Sequence, residues 1–196
     1  MSRSYLKIIA CVSISFCAAT ACNFGTRQPR VIFETPEGAI TAEIYLEQAP
    51  VTAGNFLKLV DEGVYNTNRT IFYRVVRMDN QSGDVKIEVI QGGLSDRTAV
   101  EPIFHETTEQ TGITHLDGTL SMARSKPGTA SSEFFICIGD QPELNFGGRR
   151  NPDGVGFAAF GRVVDGMDVV RKIQQQKDKD QYLIEPVPIV SIRRLP

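Results

Sequence analysis

Three places in this 196-residue chain could serve chemistry: an arginine in an apolar strand, a glutamine before a glycine pair, and an aromatic pair. Arg74 interrupts the run Ile71-Phe72-Tyr73-Arg74-Val75-Val76, where a purely structural strand favours β-branched or aromatic residues. Gln91 stands directly before Gly92-Gly93, and Phe134-Phe135 open the run Phe134–Ile138. Taken singly, each has a plain structural reading. Arg74 could be a strand residue pointing to solvent, and Gln91 could cap a turn. Phe134 and Phe135 must point to opposite faces of a strand, so at least one belongs to a core. Together they form a set of cation, amide and aromatic surface that lacks a nucleophile paired with a base.

Other chemistries lack their residues. The two histidines, His105 and His115, sit in no metal-ligand spacing and read as structural or surface residues, so no metal is implied. There is no G-x-S-x-G nucleophile turn. Gly154, Gly156 and Gly161 miss the dinucleotide spacing and lie inside a strand pattern. Adjacent carboxylates such as Asp61-Glu62 stand in polar settings, where surface charge is the simpler reading. A formal charge of −2, with Lys and Arg neither in excess nor clustered, makes no case for nucleic acid, and Gly147-Gly148-Arg149-Arg150 reads as a solvated loop.

The elements that would position these residues are mostly strands. With 41% hydrophobic and 22% charged residues, the chain suits one globular domain with a good-sized core. Arg30–Leu46 reads as a β-hairpin turning at Pro36-Glu37-Gly38, with Ile40, Ala42, Ile44 and Leu46 on one face. From Ala49 the period becomes helical: Val51, Phe56, Leu57 and Val60 share a face, Pro50 suits the start and Gly63 the stop. Strands are expected at 70–76 and 85–93, separated by a polar loop at 78–84, and again at 119–123, 134–139 and 155–164. A second amphipathic helix follows, with Asp165 or Asp168 as its cap, and 187–195 forms a last strand. Many short strands with two brief helices predict a mainly β fold, a closed antiparallel barrel with helices at its ends.

The first residues differ in kind. Basic Arg3 and Lys7, an uncharged run from Ile8 and the small-residue ending Ala19-Thr20-Ala21 read as an export signal over residues 1–21. The apolar run falls short of the roughly 20 residues a membrane span needs. Cleavage after Ala21 would leave Cys22 first, which suits a lipidated N-terminus anchored to a membrane and facing the periplasm; plain secretion is the alternative. Residues 22–30 would then be a tether and 31–196 the domain. Only Cys137 remains inside the domain, read as a small buried apolar residue rather than half of a disulfide. A monomer is the default.

Phe72-Tyr73-Arg74, Gln91-Gly92-Gly93, Gly118-Thr119-Leu120-Ser121-Met122-Ala123, Ser132-Glu133-Phe134-Phe135-Ile136 and the stretch Phe160–Val170 occur in the order seen in one family. From about Val31 to Leu195 the chain resembles a cyclophilin, a peptidyl-prolyl cis–trans isomerase, with bacterial exported members nearest. The resemblance implies an eight-stranded barrel capped by two helices, whose outer groove takes proline-containing polypeptides and needs no cofactor. It implies Arg74, Gln91 and Phe135 as catalytic residues. Phe135 would floor the proline pocket, Val89 and Leu144 would wall it, and Ala123, Arg124, Glu133 and Phe157 would complete the substrate surface. Arg124 would offer backbone groups to the peptide, and Glu133 would pair with Arg74 or compete for it. The loop between Arg74 and Gln91 is longer than in most members, so Glu88 falls where the family has a pocket Phe. Glu143 stands where many members carry Trp. Glu88, Glu133 and the long loop motivate a second reading, a groove that binds proline peptides as a chaperone module with little catalysis.

Overall fold

The computed structural model describes residues 27–94 and 100–196. The export-signal segment, Cys22 and the first residues of the tether lie outside these.

The hairpin forms as its pattern requires. Strands β1 (Arg30–Thr35) and β2 (Gly38–Ile44) pair in register around Pro36-Glu37. Thr35 Oγ1 holds the turn, donating to Gly38 O at 2.8 Å and accepting from Glu37 N at 3.1 Å. Val31, Phe33, Ile40, Ala42 and Ile44 turn inward and are fully buried. Leu46, expected on that face, lies beyond the end of β2 and is 37% exposed.

Helix α1 (Pro50–Asp61) starts at the expected proline, but its first N–H groups are served from a distance. The Glu106 carboxylate accepts from Val51 N at 3.1 Å and Thr52 N at 2.7 Å. That supplies the acceptor and the negative charge a helix N-terminus favours. Ala53, Phe56, Leu57 and Val60 pack inward, whereas Val51, expected on that face, is exposed. A short helix, α2 (Thr108–Thr111), carries a Thr107–Gln110 capping box. Helix α3 (Met167–Gln174) buries Val169, Val170 and Ile173. No aspartate caps it: its N-cap is Gly166 at φ 89°, and a Cβ there would come within 2.4 Å of Ala39 O. The close pass over β2 admits only glycine.

Eight further strands follow: β3 (Thr70–Val76), β4 (Val89–Leu94), β5 (Thr119–Met122), β6 (Phe134–Cys137), β7 (Ala158–Asp165), β8 (Asp178–Lys179), β9 (Tyr182–Pro188) and β10 (Ser191–Arg194). All pairings are antiparallel, in the order β10-β1-β2-β7-β5-β6-β4-β3-β9-β8. The ends of this order share no ladder, yet the chain itself spans the seam. β9 pairs with β3, Ile189 N donates to Thr70 O, Val190 N donates to Glu34 O, and β10 pairs with β1. One terminal segment changes partner midway, so β9 and β10 act as one wall of a barrel and β8 is a two-residue appendage. The mainly β, antiparallel architecture is as expected, with ten strands and three α-helices among the described residues in place of eight and two. The expected strand at 85–93 begins only at Val89.

Two apolar layers result. Inside, Phe33, Phe56, Tyr65, Phe72, Phe134 and Phe160 interlock, several edge to face. Outside, Val76, Ile87, Val89, Phe135, Cys137 and Leu144 make a second, smaller cluster. A groove lies over that outer layer.

Candidate active site

Strand alternation alone would send Phe72 and Arg74 to the same side. Instead the ladder slips between Phe72 and Arg74, where Phe72 pairs with Gly92 and Arg74 with Gln91. This bulge leaves Tyr73 extra, so Tyr73 and Arg74 both reach the groove while Phe72 and Val75 stay in the interior. The glycine pair makes the kink sterically feasible. A Cβ on Gly92 would meet Ile71 O and the Phe72 ring at 2.7 Å, and one on Gly93, at φ 137°, would meet Ser132 O at 2.7 Å. The Phe pair divides as alternation requires, with Phe134 in the core and Phe135 under the groove.

The groove encloses about 460 Å³. Its floor is Phe135, only 4% exposed, with the Phe157 ring edge-on at 5.3 Å and Val89, Leu144 and Ile87 around it. Ile87 fills the place that the sequence count gave to Glu88; Glu88 does not line the groove. Glu143 also stays off it, paired with Arg149 at 2.7 Å. Behind the floor, the His115 ring stacks on Phe135 at 6.0 Å. Asn145 Oδ1 accepts from both the His115 backbone N–H (3.0 Å) and Nδ1 (2.8 Å), and the Ser121 hydroxyl lies 2.9 Å from Nε2. Burial pushes this imidazole down to about 4, so it is neutral and its Nε2 accepts from Ser121.

At the rim, Arg74 Nη1 donates to Gln91 Oε1 at 3.0 Å. Gln91 Nε2 donates to the Tyr73 hydroxyl at 2.5 Å, which donates in turn to Glu133 Oε1 at 2.8 Å. Glu133 therefore connects to Arg74 through two intermediates, neither pairing with it directly nor standing apart. Gln181 Oε1 accepts from Arg74 Nε (3.1 Å) and Nη2 (2.6 Å). Arg124 plays a different part from the one expected for its backbone alone. Its side chain is fully buried, forks onto Asp153 at 2.8 and 2.9 Å, donates to Gly156 O, and lies 5.0 Å from the Phe157 ring centre. It locks the wall that carries Phe157. Arg150, read as part of a solvated loop, is a groove residue that donates to Val85 O at 2.9 Å.

The cyclophilin type peptidyl-prolyl cis-trans isomerase family model matches residues 30–194. The chain belongs to the cyclophilins. It is 36% identical over 170 residues to peptidyl-prolyl cis-trans isomerase B of Escherichia coli K12, covering 81% of this chain and 98% of that protein. It is 37% identical over 174 residues to an Acinetobacter baylyi peptidyl-prolyl cis-trans isomerase, covering 83% and 84%. A Cryptosporidium parvum cyclophilin type isomerase crystallised in the presence of the dipeptide Ala-Pro superposes with a TM-score of 0.66 at 26% identity, over 85% of this chain and 99% of that one. This cyclophilin brings Arg74, Gln91, Val89, Ala123, Arg124, Glu133, Phe135, Leu144 and Phe157 to one groove. Sequence reasoning missed Tyr73, Ile87, Arg150, Gln181 and Tyr182. Tyr73 lay inside the arginine motif itself; the others carried no local signal, being placed by loops and a distant turn.

Proposed function

We propose that Arg74 catalyses rotation about X–Pro bonds of a polypeptide whose proline ring sits on Phe135. Amide resonance sets a rotational barrier of roughly 18–20 kcal/mol. Rotation breaks that resonance and leaves the prolyl nitrogen pyramidal, with a lone pair able to accept a hydrogen bond. A guanidinium held beside it donates a bond that the planar ground state cannot accept, so the interaction strengthens in the transition state. No proton is transferred and no bond is made or broken. Gln91 orients the guanidinium and is within reach of a substrate carbonyl, and the apolar wall of Val89, Ile87, Leu144 and Phe157 excludes water that stabilises the charge-separated planar amide. Ala123 leaves room for the residue before proline.

The observation that carries this reading is a charged arginine fixed at the edge of an aromatic-floored pocket. Uncatalysed exchange takes tens to hundreds of seconds, so acceleration is directly visible by NMR exchange spectroscopy on a short Ala-Pro peptide. The protein accelerates exchange and Arg74→Ala loses about 10²–10³-fold while still shifting the peptide signals. Full activity in a folded Arg74→Ala protein rejects the role.

The clients are read as exported polypeptides, because Arg3, Lys7 and the uncharged run to Ala21 suit a signal peptide and Cys22 suits lipidation at a periplasmic membrane face. Mass spectrometry of the N-terminal peptide decides between an acylated Cys22 and plain cleavage; an uncleaved Met1 terminus rejects both.

A further inference from the structure

Arg74 has five N–H donors in one plane. Three are committed: one to Gln91 and two to the single carboxamide oxygen of Gln181. Among the described residues, one N–H on each terminal nitrogen is left over.

Gln181 is an unexpected residue for its place. It follows Asp180 in the two-residue loop joining β8 to β9, and both residues are left-handed, at φ 53° and 73°. Asn-Gly suits that geometry best, and a glutamine there is strained. The strain is held by contacts on three sides. The Gln181 N–H donates to Asp178 Oδ2 at 3.0 Å, its carbonyl accepts from Val75 N at 2.8 Å, and its side-chain amide donates to Asn80 O at 3.2 Å. Asn80 belongs to the lengthened loop 77–88 and donates to the same Asp178 oxygen at 3.1 Å and to Val75 O at 3.1 Å. Arg77 donates to the other Asp178 oxygen, and the Asp178 side chain is only 6% exposed. Burial alone would raise that carboxyl, but the hydrogen bonds from Arg77, Gln181 and Asn80 hold it below the usual range.

We infer that Gln181 is a positioning residue for the isomerase reaction: loop 77–88 and the β8–β9 turn brace its carboxamide so that Arg74 keeps one orientation at the groove. The inference rests on Arg74 being the catalytic donor. It gives the lengthened loop a function besides supplying Ile87 to the pocket. A turn that only joined two strands would be better served by Asn or Gly at this position.

Gln181→Asn and Gln181→Gly separate the two roles, since both suit left-handed backbone and neither reaches Arg74. In the full chain both variants keep or raise the thermal midpoint and bind the Ala-Pro peptide as tightly as wild type. Their kcat/KM falls about 10- to 100-fold, the scale of a misplaced catalytic group. The Arg74 Nε–H resonance, slow to exchange in the wild type, becomes fast-exchanging. Asn80→Ala, away from the groove, moves rate and resonance in the same direction by less, and Gln181→Asn adds nothing to Arg74→Ala. Wild-type rate with an unchanged Arg74 resonance overturns the inference, as does a rate loss that merely tracks a lowered midpoint. An active Arg74→Ala protein instead overturns the catalytic assignment beneath it.

Discussion

Arg74 is held by two neutral carboxamides, while Arg77, Arg124 and Arg149 are each paired with a carboxylate. A carboxylate partner would fix the guanidinium as well, but would cancel much of the charge it presents to a developing lone pair. Gln91→Glu therefore keeps the geometry and lowers kcat by about 10-fold or more; an unchanged kcat in steady-state assays would show that orientation alone matters. Tyr73→Phe removes the hydroxyl between Gln91 and Glu133. Losing one such orienting bond reduces activity by about 2- to 10-fold, well short of Arg74→Ala, and a loss as large as that variant's would make Tyr73 itself part of the chemistry. Residue types made Arg74, Gln91 and Phe135 legible, because an arginine in an apolar strand and glycines after a glutamine are locally unusual. Gln181 was not legible: it stands 107 positions from Arg74, in a charged turn with no pattern of its own.

At the scale of elements, the β3 bulge does most to build the site. Without it Arg74 and Val75 would exchange faces, and a guanidinium would enter the aromatic core. The strand itself was legible from its β-rich run, but its slip was not, since a bulge depends on what lies across the ladder. Helix α1 shows the same division. Pro50, the apolar spacing and the stop before Gly63 were readable, whereas its N-terminal acceptor comes from Glu106, 55 and 54 positions away. Glu106→Ala is expected to lower stability by about 1–2 kcal/mol, or roughly 2–8 °C in the unfolding midpoint of a domain this size. Calorimetry checks this, and because Glu106 is not a groove residue, peptide exchange at 25 °C should stay at the wild-type rate.

For the whole molecule, two buried layers share one sheet, and acid tests the outer one. His115 titrates at about 4 in the fold and about 6.5 when unfolded, so the unfolded chain binds the extra proton first. Stability from the neutral ring is complete above pH 6.5 and declines as pH falls toward 4, by roughly 3 kcal/mol in all. Burial also lowers His105, which acts in the same direction. Asp61 and Asp153, held low mainly by Arg194 and Arg124, lose their contribution only below about pH 4. The urea midpoint should thus drop between pH 7 and pH 4.5, and His115→Gln should flatten the drop while lowering stability at pH 7; equal slopes in both proteins would remove His115 as the cause. Cys137, fully buried with its thiol pushed upward by burial, should resist alkylation until global unfolding, as peptide mapping can show. What the sequence by itself determined is what short-range physics controls: strand and helix periods, the turn at Pro36-Glu37-Gly38, the division of Phe134 from Phe135, and a motif order specific enough to name the family. What only the tertiary structure decided is whatever depends on distant backbone meeting: the seam spanned, without a closing ladder, by 182–194, Ile87 in place of Glu88, and the Gln181 brace on Arg74. Side chains there are selected by partners tens of residues away, and no local pattern records such a partner.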